Sequence, residues 1–288
     1  RSEMCIRDRV NMTLCDKNFK NIANRILNEG SNTKGEKVRP KYADGTPSHT
    51  YFTNQVFERY DISKGELPIL TIRPVAWKSG IKEILWIYQD QSNELSILKE
   101  KYNIHWWDDW NIGDGTIGQR YGATVKRHNL MNKLLDGLKN QPYGRRHIMN
   151  LFQEDDLEET KGLYPCAMET QWTVRDGYLD MTLIQRSSDL PVANAINKIQ
   201  YVALMMMVAR HVDLEPGVFC HYVNNAHIYD RHIDQVKELI ERNEQKDGEN
   251  IKLVLNPDKK DFYSFTIDDF TLENYNPQKP NLKFEMAI

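Results

Sequence analysis

Several features that would assign the chain to a specialised class are missing from its sequence. No apolar run reaches the roughly 18 residues of a membrane-spanning helix, so no such span is expected. The four cysteines have no C-x-x-C spacing, which argues against a zinc site or a disulfide framework and indicates a reducing cytoplasm. The formal net charge is only −3, so bulk charge does not predict binding to a polyanion. A nucleotide site would instead need a local cluster of arginines.

The composition of the chain is typical of an ordinary soluble protein. The chain has 288 residues, of which 40% are hydrophobic and 27% charged. That length allows one large domain or two small ones, and no linker is long enough to divide it. The mixture of elements predicts a single α+β domain with a large mixed β-sheet packed against helices. Helices are expected over residues 16–29, 79–101, 127–140, 194–212 and 230–243, and strands over 67–73, 168–174, 178–184 and 218–223.

The first residues differ in character from the rest of the chain. The sequence begins with Arg1 rather than Met, and an ordinary start follows at Asn11-Met12. We therefore expect residues 1–11 to be a non-native segment and residues 12–288 to form the domain.

The most informative pattern is a hairpin past the middle of the chain. Asp176-Gly177 separates two runs rich in Trp, Thr, Val, Met and Leu, and is a strong signal for a two-residue turn. This turn places Cys166 opposite Ser187 and Met168 opposite Gln185. Strict alternation puts the next residue, Arg186, on the other face, so it reaches the thiol only through a bulge or a bend. The residues expected to face the core are Met168, Trp172, Val174, Leu179, Met181 and Leu183.

A series of short motifs occurs along the chain in a specific order. They are Lys82 to Trp86 (KEILW), Trp107 to Trp110 (WDDW), Gly118 to Gly122 (GQRYG), Arg145-Arg146, Pro165-Cys166, Gln185 to Asp189 (QRSSD), Asn197, His227 to Tyr229 (HIY) and Ala287-Ile288. Together they resemble the motifs of the thymidylate synthase family, from about Asp16 to Ile288. The resemblance implies that one face of the sheet forms a homodimer interface.

The resemblance also implies covalent catalysis on a pyrimidine ring. A thiolate that adds to carbon 6 of uracil turns carbon 5 into an enolate-like nucleophile, and Cys166 is the implied nucleophile. Arg186 would supply the positive charge that a thiolate needs. Tyr121 is implied to help remove the proton from carbon 5. The other cysteines of the domain, Cys15 and Cys220, are expected to be inert.

The implied substrate is dUMP, and its phosphate is assigned to arginines. Arg145 and Arg146 suit bidentate phosphate contacts and, in the family, cross the dimer interface to the partner's phosphate. Arg186 and Ser187 resemble phosphate ligands of the same subunit. Arg39, in an early loop, is the candidate for a further phosphate contact.

Recognition of the base is implied to rest on Asn197, with Gln185 as a further dUMP residue. A neutral amide can donate to the 4-oxo group and accept from N3–H, whereas a carboxylate suits cytosine. His227 and Tyr229 resemble the pair that hydrogen-bonds the 3′-hydroxyl of deoxyribose.

The implied co-substrate is 5,10-methylenetetrahydrofolate, and no metal is expected. Glu83 lies in apolar company, where a carboxylate is costly unless hydrogen-bonded or protonated, and the family uses it to organise water and relay protons. Trp107 and Trp110 offer flat faces for the pterin, and Asp189 offers a carboxylate to its ring nitrogens. The last two residues, Ala287-Ile288, are implied to close over the ligands.

The sequence departs from the family pattern where folate is expected. After Asp189 the common pattern is Leu-Gly-x-Pro-Phe-Asn, where residues 192–197 here read Val-Ala-Asn-Ala-Ile-Asn. Ala193 and Ile196 thus replace a glycine and a phenylalanine of the folate wall, which puts folate affinity and orientation in question. The other departures are Ala167 for a histidine, Asn224-Asn225 for Gly-Asp and Arg73 for a lysine near the folate tail.

The function predicted from these features is that of a cytoplasmic methyltransferase. It would convert dUMP to dTMP, with methylenetetrahydrofolate giving both carbon and hydride and leaving as dihydrofolate, and would bind neither a membrane nor specific DNA. Two alternatives stay open: a dUMP or dCMP hydroxymethylase of the same fold, and a non-catalytic nucleotide- or RNA-binding homologue. Trp107 and Asn197 favour methylation, and a non-catalytic protein would not need both Cys166 and Tyr121.

Overall fold

The computed structural model describes residues 13–288, and its largest element is a six-stranded sheet. The strands of this sheet are β1 (Ser31–Asn32), β2 (Thr50–Asp61), β3 (Ile148–Asn150), β4 (Ala167–Arg175), β5 (Tyr178–Asp189) and β6 (Glu215–Tyr229). Their spatial order is β1-β2-β6-β5-β4-β3. Only the β5–β6 pair of this sheet is parallel, so the predicted α+β fold with a large mixed sheet is confirmed. The expectation for residues 1–11 lies outside the described residues.

Helices cover one face of the sheet, and a small second sheet lies near the end of the chain. The helices are α1 (Leu14–Glu29), α2 (Trp77–Ile84), α3 (Leu95–Tyr102), α4 (Gly122–Arg127), α5 (Leu130–Asn140), α6 (Glu154–Glu159), α7 (Ala193–His211) and α8 (Ile233–Glu241). A π-helical turn (Leu85–Gln89) extends α2. The second sheet pairs β7 (Lys252–Leu255) with β8 (Phe270–Glu273). No helix in this part of the chain is both long and apolar enough to cross a bilayer.

The helix α7 crosses over between the two parallel strands, β5 and β6. Its apolar residues lie on most sides, as a helix buried between a sheet and other helices requires. Val202, Leu204 and Met205 have no exposed surface, and the helix packs against α2 and β5. The prediction of a buried helix over 194–212 is confirmed. Its first turns bring Asn197 to the end of β5 that carries Gln185.

The β4–β5 hairpin has the predicted turn. Asp176 and Gly177 both have positive φ, +49° and +84°, as a two-residue type I′ turn requires. The predicted register holds from Glu169 opposite Ile184 to Arg175 opposite Tyr178.

Beyond Glu169 the register changes, because the strand has a bulge at Met168. Ala167 pairs with Gln185, and the backbone N–H of Arg186 donates to the carbonyl of Cys166 over 3.2 Å. The predicted pairs Cys166–Ser187 and Met168–Gln185 are therefore wrong by one residue. Met168 is only half-buried, and Ala167 takes the core position instead. The bulge that Arg186 needed is present.

The strand predicted over residues 67–73 is wrong. These residues are buried but form no ladder, because a carboxylate from α1 replaces a neighbouring strand as their partner. Asp16 accepts hydrogen bonds from the backbone N–H groups of Thr71 and Ile72, at 2.8 and 3.4 Å, and from the Thr71 hydroxyl. A buried apolar run is thus satisfied by one side chain rather than by a sheet.

Other predicted elements keep their type but change their bounds. The helix expected over 79–101 is broken at residues 90–94 into α2 and α3. The strand expected over 218–223 extends in both directions as β6, where it pairs with the unpredicted strand β2.

Candidate active site

The bulge at Met168 brings a guanidinium to a thiol. Arg186 Nη2 lies 3.5 Å from Cys166 Sγ. The same guanidinium donates from Nε to the Pro165 carbonyl and from Nη2 to the Tyr164 carbonyl, each over 2.9 Å, so its position is fixed by backbone. Burial raises the pKa of Cys166, and Arg186 and Arg39 oppose that shift. The geometry therefore provides the positive charge that a thiolate needs.

Tyr121 connects this hairpin to the Gly-rich loop. Its hydroxyl accepts a 3.0 Å hydrogen bond from the backbone N–H of Cys166. Tyr121 precedes α4 with a φ of +48°, an unusual value for a residue with a side chain. Burial, with the nearby Cys166, raises the pKa of Tyr121 well above its usual value, so the phenol is neutral. Its ring packs edge-on against Trp107, with centroids 5.3 Å apart.

Glu83 is a buried carboxylate on α2 with three donors around it. Trp106 and Trp107 donate their indole N–H groups to Oε2 over 2.6 and 2.9 Å, and Gln200 donates to Oε1 over 3.2 Å. Burial raises the pKa of Glu83, and these hydrogen bonds oppose the rise. The carboxylate is therefore easier to protonate than an exposed glutamate. Trp110 packs edge-on against Trp107 at 5.6 Å.

Four side chains form a continuous row of amides and a carboxylate, which we call the amide chain: Gln185, Asn197, Gln200 and Glu83. Gln185 Nε2 donates to Asn197 Oδ1 over 3.2 Å, and Asn197 Nδ2 donates to Gln200 Oε1 over 2.7 Å. Gln200 in turn donates to Glu83 and to the Gly80 carbonyl. Asn197 thus has one fixed donor end and one fixed acceptor end.

A cleft of about 620 Å³ opens beside the guanidinium of Arg186. Arg39, Arg186 and Ile288 line it together, so an early loop, the hairpin and the last residue meet there. Its other lining residues are Trp110, Asn111, Ile112, Phe152, Gly162, Leu163 and Tyr164. The cleft combines two cations with apolar walls, as a site for an anionic ligand with a flat ring requires.

The tail is held against the loop that carries Arg39. The backbones of Lys41 and Ile288 exchange hydrogen bonds in both directions, at 2.8 and 2.9 Å. Ala287 forms a bridge with Tyr42. The loop that carries Arg39 and the last two residues are therefore joined directly.

Asp189 ends β5 with one oxygen, Oδ1, buried and without a hydrogen-bond partner among residues 13–288. Burial raises the pKa of Asp189 to about 7, and Arg73 opposes this shift. Arg73 is itself held, with Nη1 2.6 Å from the Pro191 carbonyl and its guanidinium over the Phe284 ring. A buried carboxylate oxygen without a partner needs a donor from a ligand or from water.

His227 lies beside Asp189, its register partner on the parallel strand β6. His227 and Tyr229 are in edge-on contact at 5.2 Å, and His227 Nδ1 is 3.0 Å from Asn225 Oδ1. Burial lowers the pKa of His227 to about 4, so its imidazole is neutral. Burial raises the pKa of Tyr229 to about 12, so its hydroxyl keeps its proton. Both groups can donate to or accept from a sugar hydroxyl.

The remaining predicted residues do not line the cleft. Arg145 and Arg146 are exposed on the loop before β3 and do not line the cleft. Ser187 is half-buried on β5, beside Asn225 of β6. At the start of α7, Ala193 is exposed. Ile196 lies so close to Gly80 of α2 that a Cβ on this glycine would be 2.9 Å from the Ile196 side chain.

Three residues of this region were not predicted. Trp106 contacts Glu83 directly, Gln200 joins Asn197 to Glu83, and His221 contacts Gln185. Gln200 could have been predicted from the sequence. It follows Asn197 by three residues on the same helix, so the two side chains must lie on the same helix face. His221 gave no such signal, since it depends on the pairing of β5 with β6.

The described residues hold no group of three or more histidine, cysteine, aspartate or glutamate side chains arranged for a metal ion. The geometry is instead that of a thiol, a guanidinium, a buried carboxylate and a row of amides around a cleft.

Comparison with known proteins gives one consistent result. The family model described as thymidylate synthase matches residues 17–288. A thymidylate synthase of Lactococcus lactis subsp. lactis (strain IL1403) is 51% identical over 283 residues, which covers 96% of this chain and all of that protein. One of Streptococcus pneumoniae (strain 70585) is 50% identical with the same coverage. The solved structure of thermostable thymidylate synthase A from Bacillus subtilis has a TM-score of 0.88 and 40% identity, over 95% of this chain and 99% of that one.

Proposed function

The chain belongs to the thymidylate synthase family of methyltransferases, and on that premise we propose that it methylates dUMP with Cys166 as the nucleophile. The observation that carries the proposal is the contact of Cys166 Sγ with Arg186 Nη2, made beside a cleft that Arg39 also lines. The thiolate adds to carbon 6 of the uracil, and the electron pair moves to carbon 5 and the 4-oxo group. Carbon 5 then acts as the nucleophile toward the one-carbon unit.

The base is held by the amide chain. Asn197 Nδ2 points toward Gln200 and Glu83, and Asn197 Oδ1 toward Gln185. Each atom keeps one further hydrogen or lone pair, so the amide can donate to the 4-oxo group and accept from N3–H. With this orientation the 4-oxo group would lie on the side of Glu83, whose raised pKa suits proton relay to that oxygen. Tyr121, hydrogen-bonded to the backbone of Cys166, is placed to act on the carbon 5 proton.

The family uses 5,10-methylenetetrahydrofolate, which supplies the carbon unit and the hydride when it is bound. The residues present fit it. Asp189 Oδ1 is a buried acceptor without a partner, as a pterin ring N–H would require. The edge-on pair of Trp107 and Trp110 offers an aromatic wall. Ile288, which lines the cleft, is placed to exclude water from the reacting atoms.

Further residues are assigned to the phosphate and the sugar of dUMP. Arg39 and Arg186 face the cleft and suit a phosphate, with Ser187 adjacent to Arg186 on β5. The neutral His227 and Tyr229 suit the 3′-hydroxyl. Arg145 and Arg146 point outward from their own subunit, which fits a role in a neighbouring subunit's site.

A homodimer is supported by the sheet face that the helices leave uncovered. Phe57, Tyr222 and Ile184 are neighbours across β2, β6 and β5, and Phe57 is 59% exposed. Exposed apolar surface of this kind marks an interface. The proposed compartment is the cytoplasm, in keeping with the free thiols of Cys15, Cys166 and Cys220.

Mass analysis of the product from dUMP and methylenetetrahydrofolate tests the proposed reaction. The expected nucleotide is heavier than dUMP by one CH2 group, with dihydrofolate formed in equal amount. A product heavier by CH2O would instead identify a hydroxymethylase. Binding of dUMP without any product would leave a non-catalytic nucleotide-binding protein. Cys166→Ala protein serves as the control for background chemistry.

A further inference from the structure

Trp106 belongs to the site by its contacts, and the reaction described above gives it no part. It directly precedes the WDDW motif, and its indole N–H donates to Glu83 Oε2 over 2.6 Å. Trp107 donates to the same oxygen over 2.9 Å. Hydrogen bonds to a carboxylate are shorter and stronger than those between neutral groups. Both indoles therefore stabilise the ionised form of Glu83.

A turn explains how two consecutive side chains reach one oxygen. Consecutive residues of a strand point to opposite sides, so Trp106 and Trp107 could not meet at a single atom there. Here the backbone N–H of Asp108 donates to the His105 carbonyl over 3.1 Å, which places the two tryptophans at the centre of a turn. Trp107 has φ −97° and ψ 0°, values typical of the second central residue of a type I turn. The local backbone thus directs both indoles toward Glu83.

The two oxygens of Glu83 consequently differ in what they can still accept. An indole N–H only donates, and each carboxylate oxygen has two lone pairs, so both lone pairs of Oε2 are occupied. Among residues 13–288, Oε1 accepts one hydrogen bond, from Gln200 Nε2 over 3.2 Å, and so keeps one lone pair. A proton on Oε2 would displace an indole N–H and leave it without its partner. A proton that joins Glu83 therefore binds Oε1.

The order of the amides requires Gln200 to present a donor to this oxygen. The Gly80 carbonyl only accepts, so the NH2 group of Gln200 faces it over 2.8 Å, and the same NH2 group reaches Glu83 Oε1. Gln200 Oε1 is then turned toward Asn197, which donates to it over 2.7 Å. Glu83 Oε1 thus lies on the side of the amide chain, to which the uracil is assigned.

The titratable neighbours of Glu83 do not compete for this proton. Tyr88, Tyr121 and Tyr201 come from the π-helical turn, the Gly-rich loop and α7, and each interacts with the charge of Glu83. Burial raises the pKa of all three phenols, so they are neutral. The pKa of Glu83 is raised by its burial and lowered by its three donors. Loss of the Trp106 donor would therefore make this carboxyl easier to protonate.

We propose that Trp106 is a positioning residue for proton transfer at the base: with Trp107 it fills Glu83 Oε2, and so restricts the exchangeable proton to Oε1, on the side of Asn197. Trp106 acts through Glu83 and is not a catalytic residue. The inference rests on the proposed function, which gives Glu83 the relay of a proton to the 4-oxo group.

The substitution Trp106→Phe removes the N–H and keeps an aromatic ring. Infrared difference spectroscopy follows the protonated carboxyl of Glu83 as the pH is changed, with Glu83→Gln protein as the blank. The midpoint is expected to lie about one pH unit or more above that of wild type, since a hydrogen bond to a charged group is worth about that much. The matched control is Trp172→Phe, which removes a buried indole N–H donated to Thr170 Oγ1 over 2.9 Å and leaves the midpoint unchanged.

Turnover gives a second readout, which separates this role from a merely structural one. At the pH optimum of each protein, kcat of Trp106→Phe is expected to fall by about 10-fold, because a carboxyl with fewer donors presents its proton in the wrong place more often. The KM for dUMP should stay within about twofold of wild type. In a Glu83→Gln background, the same substitution should lower kcat by less than about twofold, since no proton remains to be directed.

A titration midpoint within about 0.3 pH unit of wild type, or below it, overturns the proposal, because even a weak hydrogen bond is worth more. An equal loss of kcat in the Glu83→Gln background overturns it too, since Trp106 would then act without Glu83. If Trp106→Phe does not fold, benzothienylalanine at position 106 replaces it, because this residue keeps the shape of the indole and lacks the N–H. A wild-type protein that makes no dTMP contradicts the proposed function, and the infrared titration, which needs no turnover, still decides the role of Trp106.

Discussion

Two acidic groups of the site, Cys166 and Asp189, are governed by opposing effects of burial and charge. Burial raises the pKa of both groups, and a guanidinium opposes each rise: Arg186 beside the thiol and Arg73 beside the carboxylate. Both guanidinium groups are held by backbone carbonyls. Their charges therefore stay in place without a ligand, which is the preorganisation that electrostatic catalysis requires.

Replacing the thiol tests the nucleophile. Cys166→Ser is expected to lower kcat by at least about 10³-fold, because the hydroxyl is not ionised and cannot add to the ring. Binding of dUMP should change by less than about fivefold, since Arg39, Arg186 and Asn197 remain. Steady-state turnover and calorimetry measure the two quantities. Turnover within about tenfold of wild type would remove Cys166 from its role.

The raised pKa of Asp189 predicts a pH-dependent stability. The folded pKa of about 7 lies above the usual 3.8, so between about pH 4 and pH 7 the folded state binds a proton that the unfolded state does not. The free energy of unfolding therefore falls as pH rises through this window. From pH 5 to pH 8 the expected loss is roughly 2 to 3 kcal/mol, at about 1.4 kcal/mol per pKa unit.

The comparison that isolates this effect is Asp189→Asn, which cannot ionise. Denaturant unfolding of both proteins at several pH values should give curves of stability against pH that diverge above pH 5, with wild type losing more. Parallel curves would mean that Asp189 is ionised in the folded protein throughout this range.

At the scale of elements, the hairpin shows what local pattern can and cannot predict. Its turn follows from Asp176-Gly177 alone, because both residues tolerate positive φ. The register near Cys166 cannot be predicted in this way. A bulge costs little free energy locally, and this one is favoured by the contact that it allows between Arg186 and Cys166. The need for it could be inferred only from the requirement that Arg186 reach the thiol.

The elements that the sequence did not predict depend on distant partners. Residues 67–73 are apolar enough for a strand, yet Asp16 satisfies their backbone. The strand β2 contains Glu58, which is unfavourable in a buried strand until Lys198 and His221 surround it. Most residues of the candidate site could be proposed from the sequence because they lie in the family-like motifs. Trp106 and His221 could be added only from their contacts with Glu83 and Gln185 in the structure.

The pairing of the tail with the Arg39 loop gives a prediction for this element. Removal of Ala287 and Ile288 deletes the two Lys41–Ile288 hydrogen bonds and one wall of the cleft. Turnover is expected to fall by about 100-fold, because reacting groups are misplaced and water enters. Affinity for dUMP, measured by calorimetry, should change much less. The control is Met286→Ala, whose exposed side chain does not line the cleft; a similar loss in this variant would contradict a specific role for the tail.

At the scale of the whole molecule, the uncovered sheet face and the outward arginines point to the same arrangement. A closed dimer would bury Phe57 and its neighbours and would place surface loops of one subunit near the cleft of the other. Arg145 and Arg146 lie on such a loop, directly before the edge strand β3. The active site would then be shared between subunits.

Mixing two inactive proteins tests this sharing. A Cys166→Ser chain combined with an Arg145→Ala/Arg146→Ala chain is expected to regain up to about a quarter of wild-type activity. Half of the dimers formed at random are hybrids, and one of their two sites is intact. Activity is measured after subunit exchange has been confirmed by native mass spectrometry. No recovery despite exchange would place the arginines in the same site as their own Cys166, or outside any site.

The strand pair β2–β6 joins two segments that the ribosome synthesises far apart in time. Glu58 and His221 are partners although about 160 residues separate them. At a synthesis rate of about 5 to 20 residues per second, β2 leaves the ribosome roughly 10 to 30 seconds before its partner is made. During that interval its apolar Phe57 and unpaired backbone are open to other chains, the situation in which aggregation competes with folding. Among the strand pairs of this sheet, β2–β6 thus has the longest interval between the synthesis of its two members.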